Sequence, residues 1–252
     1  MIKKILIPQD GSEHSSAALS CGIYIARKFG AAIKGVYVVD IVALEGPFLH
    51  DVSGSLGFEP YLNFSTKMRE VLEGRGKAVM ARFEEVCKGE GVVYETLTTS
   101  GIVGNEICEA AKIADLIVMG SRGVNVKFEY GLLGGTTEAV VRKSPVPVLV
   151  TPKVFTQPKK PLLAYDGSPN ASRAMHSAAE WSKALGLPLT VLTVAADEVS
   201  KARLLKNAEE YLKPYDVKPS YVGLSGDPAD VIVKYYKENG FDLLFMGATH
   251  HS

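Results

Sequence analysis

Short apolar runs alternate along the chain with longer segments whose apolar residues recur at helical spacing. The run KILIP near the N-terminus precedes SSAALSCGIYIARKFG, whose apolar positions fall on one helical face that ends at Gly30. The order continues with AIKGVYVVD, a long helical stretch, VVYETLTT, GNEICEAAKIA and DLIVMG, and then with TTEAVVRKS and PVPVLVTP. Continuous apolar strands that alternate with amphipathic helices predict a parallel sheet with helices on both faces.

The chain contains this pattern twice. Residues 3–40 align without a gap with residues 159–196, and residues 100–121 match residues 225–248. The triplet Asp-Gly-Ser at 10–12 therefore recurs at 166–168. A repeat of this length indicates two copies of one domain rather than a solenoid of small units.

We therefore predict a first domain at 1–152, a linker at 153–160 and a second domain at 161–252. The second copy stops directly after its DLLFMG run, so we expect it to be truncated at its C-terminal end. The first copy alone contains the segment 41–64, rich in Gly, Pro and aromatic residues and without a clear period. We expect this segment to be a long loop that acts as a lid, an interface or a mobile insertion.

Composition excludes several classes of protein. The 252 residues include 28 Lys+Arg and 28 Asp+Glu, so the balance gives no electrostatic reason to expect a nucleic acid or an anionic membrane as a partner. The N-terminus has only a short apolar stretch before charged residues, which is neither a signal peptide nor a membrane span. The three cysteines are far apart in helical patterns and are expected to be buried thiols in the cytoplasm.

Common catalytic and cofactor motifs are absent from the sequence. There is no G-x-x-x-x-G-K-[ST], no G-x-G-x-x-G after the first strand and no G-x-S-x-G. The five histidines are not spaced with Cys, Asp or Glu as metal ligands are. We therefore expect no catalytic residue and no metal site.

The remaining candidates lie where predicted strands end. Asp10 follows the first strand, and Val38 lies near the end of the second. Met119 and Gly120 end the fourth strand, and Gly123 comes shortly after it. Ligands of doubly wound sheets bind beyond the carboxyl ends of the strands, so these residues should converge on one crevice. The glycines allow backbone amides to approach an anion without obstruction by a Cβ atom.

A second glycine pair precedes the next helix. The free amides and positive dipole end of a helix that begins after Gly134 and Gly135, at Thr136, suit a phosphate group. Turn chemistry alone is the alternative, because Ser12 and Ser168 are also good helix N-caps. Residues 119–140 are thus interpreted either as a phosphate cradle or as a plain connection from strand to helix.

As a set, ILIPQDGSEHS, VYVVD, GIVGNEI, ADLIVMGSRG and LLGGTTEAVVRKSPVPVLV resemble a universal stress protein (UspA-type) domain. The resemblance covers nearly all of residues 1–152, and residues 159–252 look like a second, shortened copy. It implies two Rossmann-like (adenine nucleotide alpha hydrolase-like) α/β domains whose parallel sheets are flanked by helices. It also implies a homo-oligomer or an internal pseudo-dimer, with dimerisation through the last strand.

One branch of this family binds ATP through a G-x2-G-x9-G-[ST] signature. Carried over, the resemblance implies an ATP site, with or without Mg²⁺, formed by Asp10, Val38, Met119, Gly120, Gly123, Gly134, Gly135 and Thr136. Asp10 would lie near the ribose or adenine, Val38 against the adenine, and Gly134 at the phosphates. The loop departs from the signature, because ten residues separate Gly123 from Gly134 and a glycine stands at 135 where Ser or Thr is expected.

The second copy departs further, since His250 stands at the position of Gly123. The resemblance thus favours a stress-response protein that binds an adenine nucleotide mainly in its first domain and plays a regulatory role. One alternative is a nucleotide-free scaffold or interaction protein that presents residues 41–64 to a partner. Another is a slow ATPase in which Asp10 holds Mg²⁺.

Overall fold

The computed structural model describes residues 1–42, 58–124 and 133–248, with the side chains of 58–65 excepted. These residues divide into two compact units, Met1–Thr156 and Gln157–Ser252. The division falls within the segment that the sequence assigns to a linker.

The first unit is a five-stranded parallel sheet with the strand order β3-β2-β1-β4-β5. Its elements are β1 (Lys4–Pro8), α1 (Glu13–Phe29), β2 (Ala32–Asp40), α2 (Phe58–Gly89), β3 (Tyr94–Gly101), α3 (Val103–Ala111), β4 (Leu116–Gly120), α4 (Gly135–Lys143) and β5 (Val148–Thr151). The order reverses direction between β1 and β4, which is where a doubly wound sheet forms its crevice.

The second unit repeats the arrangement with four parallel strands in the order β8-β7-β6-β9. Its elements are β6 (Pro161–Ala164), α5 (Pro169–Leu185), β7 (Thr190–Val194), α6 (Glu198–Leu212), a 3-10 turn (Lys213–Tyr215), β8 (Ser220–Leu224), α7 (Pro228–Glu238) and β9 (Leu243–Phe245). The predicted fold class is confirmed, because each unit is a parallel sheet flanked by helices. No helix in the described parts of the chain is long and apolar enough to cross a membrane.

One prediction about the first unit is wrong. The segment 41–64 was expected to be a loop, but α2 begins at Phe58 and runs through its last seven positions. Pro60 obscured this start in the sequence, yet a proline fits in the first turn of a helix, where its missing N–H has no partner to lose. Residues 43–57 of this segment lie outside the described residues.

Each unit aligns its first and fourth strands with an aspartate. The Asp115 carboxylate accepts hydrogen bonds from the backbone amides of residues 3–4 at 2.7 and 2.9 Å. In the second unit Asp242 does the same for residues 159–160, at 2.8 Å each. Each aspartate directly precedes the fourth strand, so this contact sets the register between the first and fourth strands at their N-terminal ends. The C-terminal ends of the two strands therefore lie side by side.

Two apolar layers cover the sheet of the first unit. On one face, Val140 of α4 and Ile107 of α3 pack against Met119 and Leu6. On the other face, the ring of Phe83 in α2 is 1% exposed and lies over Gly35 of β2. Glycine is needed at 35, since a Cβ atom there would lie 2.6 to 2.9 Å from three ring carbons of Phe83.

The cysteines are free thiols, as the sequence predicts. Burial raises the pKa of Cys21 to about 12, and burial, with a smaller contribution from Glu84, raises the pKa of Cys87 to about 11. Cys108 is half-buried, and its pKa is also raised by burial. All three are therefore neutral thiols at physiological pH and behave as small apolar side chains.

The Phe83 contact predicts opposite effects for two Gly→Ala substitutions. Gly35→Ala should lower the free energy of unfolding by about 1–3 kcal/mol, because the new methyl group overpacks a filled core. Gly74→Ala, in the helix that carries Phe83, meets no atom within 4 Å and should be neutral or stabilising by up to about 1 kcal/mol. Urea denaturation followed by circular dichroism measures both, and equal midpoints for the two variants would contradict the packing described.

Candidate functional site

The turn after β1 is built around the side chain of Asp10. Its Oδ1 accepts a hydrogen bond from the Ser12 amide at 2.9 Å, and Gly11 between them has a φ of 80°, a conformation that glycine adopts without strain. Ser12 then caps α1, since its Oγ accepts from the Ser15 amide at 3.1 Å. The predicted N-cap role of Ser12 is thus confirmed.

The second unit reproduces this turn. Asp166 Oδ1 accepts from the Ser168 amide at 2.9 Å, and Gly167 also has a φ of 80°. Ser168 Oγ accepts from the Ala171 amide at 3.1 Å, which confirms the second predicted N-cap. The Asp-Gly-Ser triplet is therefore a turn and cap in both copies, whatever else it does.

In the first unit the other oxygen of Asp10 reaches the loop that leaves β4. Asp10 Oδ2 accepts a hydrogen bond from the Val124 amide at 3.0 Å. Gly123 is pressed against the same oxygen, because a Cβ atom at this position would lie 2.9 Å from Oδ2. The structure thus brings Asp10 and Gly123 into direct contact.

Gly120 lets α1 approach the end of β4. A Cβ atom on Gly120 would lie 2.6 to 2.9 Å from three atoms of His14, two of them backbone. The Gly120 carbonyl accepts a hydrogen bond from the buried hydroxyl of Thr137 in α4 at 2.9 Å. The N-terminal turns of both helices are therefore held beside the same strand end.

The N-terminus of α4 presents backbone amides. Gly134 is the N-cap and donates its own amide to the Ser121 carbonyl at 2.8 Å, and the Glu138 amide makes the first helical bond, to Gly134, at 2.9 Å. By helix geometry the intervening amides, of residues 135–137, have no partner within the helix. A Cβ atom on Gly135 would meet nothing within 4 Å among the described atoms, so the approach to these amides is open there.

The other predicted residues lie deeper in the fold. Met119 is buried in the core cluster beneath α3 and α4, and Val38 of β2 packs half-buried against the same cluster. The side chain of Met119 is thus part of the core, and it would meet a ligand through its backbone. Residues 125–132 of the loop, and His250 in the second unit, lie outside the described residues.

Four residues that sequence reasoning did not select contribute to this region. Arg75 of α2 donates a hydrogen bond from Nη2 to the Asp10 carbonyl at 2.7 Å. His14 Nδ1 and Ser121 Oγ lie 3.3 Å apart, and Thr137 holds the Gly120 carbonyl. A second hydroxyl after Gly134-Gly135 could have indicated Thr137, whereas Arg75 is remote in sequence from its partner and follows a segment without a pattern.

Tyr37 links β2 to α2, the helix that carries Arg75. Its hydroxyl donates to the Leu72 carbonyl at 3.1 Å. Burial raises the pKa of Tyr37, against an opposing effect of the Arg75 charge and together with the charge of Asp10. Tyr37 therefore stays a neutral hydrogen-bond donor near the turn.

Among the described residues, no three His, Cys, Asp or Glu side chains gather closely enough to bind a metal ion. What the described residues do offer is one carboxylate, close glycine backbone and a helix N-terminus at the end of β4. This combination can accept hydrogen bonds from hydroxyl groups and donate them to an anion.

Comparisons with known proteins identify the family to which the chain belongs. The profile of the Universal stress protein family matches residues 1–152. "Universal stress protein Slr1230" of Synechocystis is 30% identical over 261 residues, an alignment that covers 100% of this chain and 91% of that protein. "Universal stress protein MJ0531" of Methanocaldococcus jannaschii is 36% identical over 163 residues, covering 64% of this chain and 85% of that protein.

A solved structure resembles the chain over its whole length. The crystal structure of a universal stress protein from Archaeoglobus fulgidus has a TM-score of 0.76 and 24% sequence identity, and the match covers 99% of this chain and 86% of that one. This likeness supports the fold assignment. The chain belongs to the universal stress protein family, and the resemblance predicted from its motifs is confirmed.

The hydrogen bond between the Val124 amide and the Asp10 carboxylate leads to a prediction about amide hydrogen exchange at Val124. Asp10→Ala removes the acceptor of the Val124 amide, so hydrogen exchange at Val124 should accelerate by about tenfold, the equivalent of one hydrogen bond. Asp166→Ala, the same change in the second unit, should leave Val124 unaffected. Amide exchange measured by NMR or mass spectrometry decides the point, and unchanged protection in the Asp10 variant would show that the loop is held by other contacts.

Proposed function

We propose that the first unit binds an adenine nucleotide, ATP with or without Mg²⁺, and that the protein has a regulatory role in the cytoplasm. The observation that carries the proposal is the convergence of Asp10, Gly123 and the N-terminus of α4 at the ends of β1 and β4. This is the place where a doubly wound sheet binds its ligand.

The chemistry of the two sides differs in a way that suits a nucleotide. The backbone amides of residues 135–137 and the dipole of α4 favour the binding of a negatively charged phosphate. A carboxylate accepts about four hydrogen bonds, and two on Asp10 are taken by the Ser12 and Val124 amides. Asp10 thus keeps capacity to accept from ribose hydroxyls, and half-buried Val38 offers apolar surface for a base.

Binding without efficient hydrolysis is favoured by the state of the nearby carboxylates. Asp10 accepts two backbone amides, and Glu138 Oε1 accepts from Arg142 Nε and Nη2 at 3.2 and 2.7 Å. A general base for water needs a carboxylate or imidazole aimed at the nucleophile. Glu138 is instead held by Arg142, His14 Nδ1 contacts Ser121 Oγ, and the free acceptor positions of Asp10 are the ones assigned above to ribose hydroxyls.

Filling the open position at the start of α4 tests the phosphate cradle. Gly135→Val places a side chain where no described atom lies within 4 Å of its Cβ, so the fold should persist while phosphates are excluded. We expect ATP affinity, measured by isothermal titration calorimetry, to fall by about tenfold or more. Gly74→Val, in equally open space on α2, is the control and should bind like the wild type.

The outcome is decisive in both directions. Absence of heat and of a thermal shift at millimolar ATP in the wild type would remove the nucleotide function and favour a scaffold. Gly120→Val is unsuitable as a blocking variant, because its side chain would collide with the His14 backbone and disturb the fold.

The twin turns allow the site to be assigned to one unit. Asp10→Ala should weaken ATP binding by about tenfold or more, because it removes an acceptor and its loop contact. Asp166→Ala makes the same change in the second unit and should leave both affinity and a stoichiometry of about one per chain unchanged. Equal losses in the two variants would place nucleotide in both units, and phosphate release that persists in Asp10→Ala would separate any hydrolysis from this site.

A further inference from the structure

Helix α2 leans over the turn that ends β1. Val79 Cγ2 lies 2.9 Å from the position that a Cβ atom on Gly11 would occupy. One helical turn earlier, Arg75 Nη2 donates to the Asp10 carbonyl at 2.7 Å. The contact fixes an exposed guanidinium beside the residue proposed to hold the ribose.

The second unit supplies an internal comparison. There Leu204 Cδ2 lies 2.6 Å from the Cβ position of Gly167, the counterpart of Gly11. Leu204 therefore stands where Val79 stands in the first unit, and the residue one turn earlier is Ser200. The second unit has no arginine at the position of Arg75.

A cation is present in the second unit one position later, but it is used differently. Lys201 is 6% exposed, donates from Nζ to Ser225 Oγ at 2.8 Å and forms an ion pair with Glu198. Its charge is compensated within the unit, so Lys201 is a structural cation that cannot turn toward a ligand without breaking both contacts.

The position of Lys201 in α6 corresponds to that of Gly76 in α2. The space between helix and strand is filled by the strand residue in the first unit and by the helix residue in the second. In the first unit, Tyr37 fills the space, since a Cβ atom on Gly76 would lie 2.6 Å from its ring. In the second unit the strand carries the smaller Thr193 and the helix carries Lys201. The first unit thus has no buried cation here and instead exposes Arg75.

Arg75 keeps donors for a ligand. Among the described residues no carboxylate forms an ion pair with Arg75, and the acceptor recorded for its side chain is the neutral Asp10 carbonyl. A guanidinium has five N–H donors in a planar fork that matches phosphate oxygens. We propose that Arg75 is a specificity-determining residue, which makes the first unit prefer a phosphorylated adenine nucleotide over the unphosphorylated nucleoside.

This inference rests on the proposed nucleotide function. A titration with two ligands distinguishes a failure of the role of Arg75 from a failure of the nucleotide function. Affinities for ATP and for adenosine are measured in the wild type, Arg75→Gln, Arg75→Lys and Lys77→Gln. Lys77 is exposed on the same helix, two residues further and on a different side, so its variant controls for net charge. Urea midpoints verify that all four proteins are folded.

Arg75→Gln should weaken ATP by about tenfold while leaving adenosine within about twofold, and Arg75→Lys should retain part of the preference. The affinity of the wild type for ATP should also fall more steeply with salt than that of Arg75→Gln. Equal weakening of both ligands, or of neither, in a wild type that binds ATP would overturn the role of Arg75 alone. A wild type that binds neither ligand would overturn the nucleotide function and this inference with it.

Discussion

The candidate site depends on one carboxylate that accepts backbone amides from two distant parts of the chain. Asp10 closes its own turn through the Ser12 amide and holds the exit of β4 through the Val124 amide. Because both oxygens are used, the side chain can satisfy these bonds in only one position between the two strand ends. The close fit of Gly123 against Oδ2 follows from this constraint.

The other end of the sheet has an equivalent device. Asp115 and Asp242 each accept hydrogen bonds from two successive backbone amides at the start of the first strand of their unit. Register is therefore set by a carboxylate at one end and, in the first unit, tied again by a carboxylate at the other. Charge-assisted bonds to backbone amides are stronger than neutral ones, which makes them suitable for fixing strand ends that apolar packing alone leaves free to slide.

Most of the fold could be predicted from the sequence, because the helices, strands and turns are indicated by residues that are close together in the chain. Apolar runs, helical periodicity and the repeated Asp-Gly-Ser turn predicted the alternation of strands and helices, and the N-cap roles of Ser12 and Ser168 were visible in their spacing. The start of α2 at Phe58 was missed, since helix formation there has no apolar period and includes Pro60. The contacts of Arg75 with Asp10 and of Gly120 with His14 could not be predicted, because they depend on how separate helices pack.

The first unit combines Tyr37 of β2 with Gly76 of α2, whereas the second unit combines Thr193 of β7 with Lys201 of α6. This difference shows how far the two copies have diverged. Either half of the exchange alone is unfavourable, since a long side chain at 76 meets the tyrosine ring and a threonine at 37 leaves a void. The residues at the two positions are therefore coupled, and each combination is favourable only as a pair. A graft of α6 in place of α2 would bring the side chain of Lys201 against the ring of Tyr37, so the two helices are not interchangeable parts of the repeated fold.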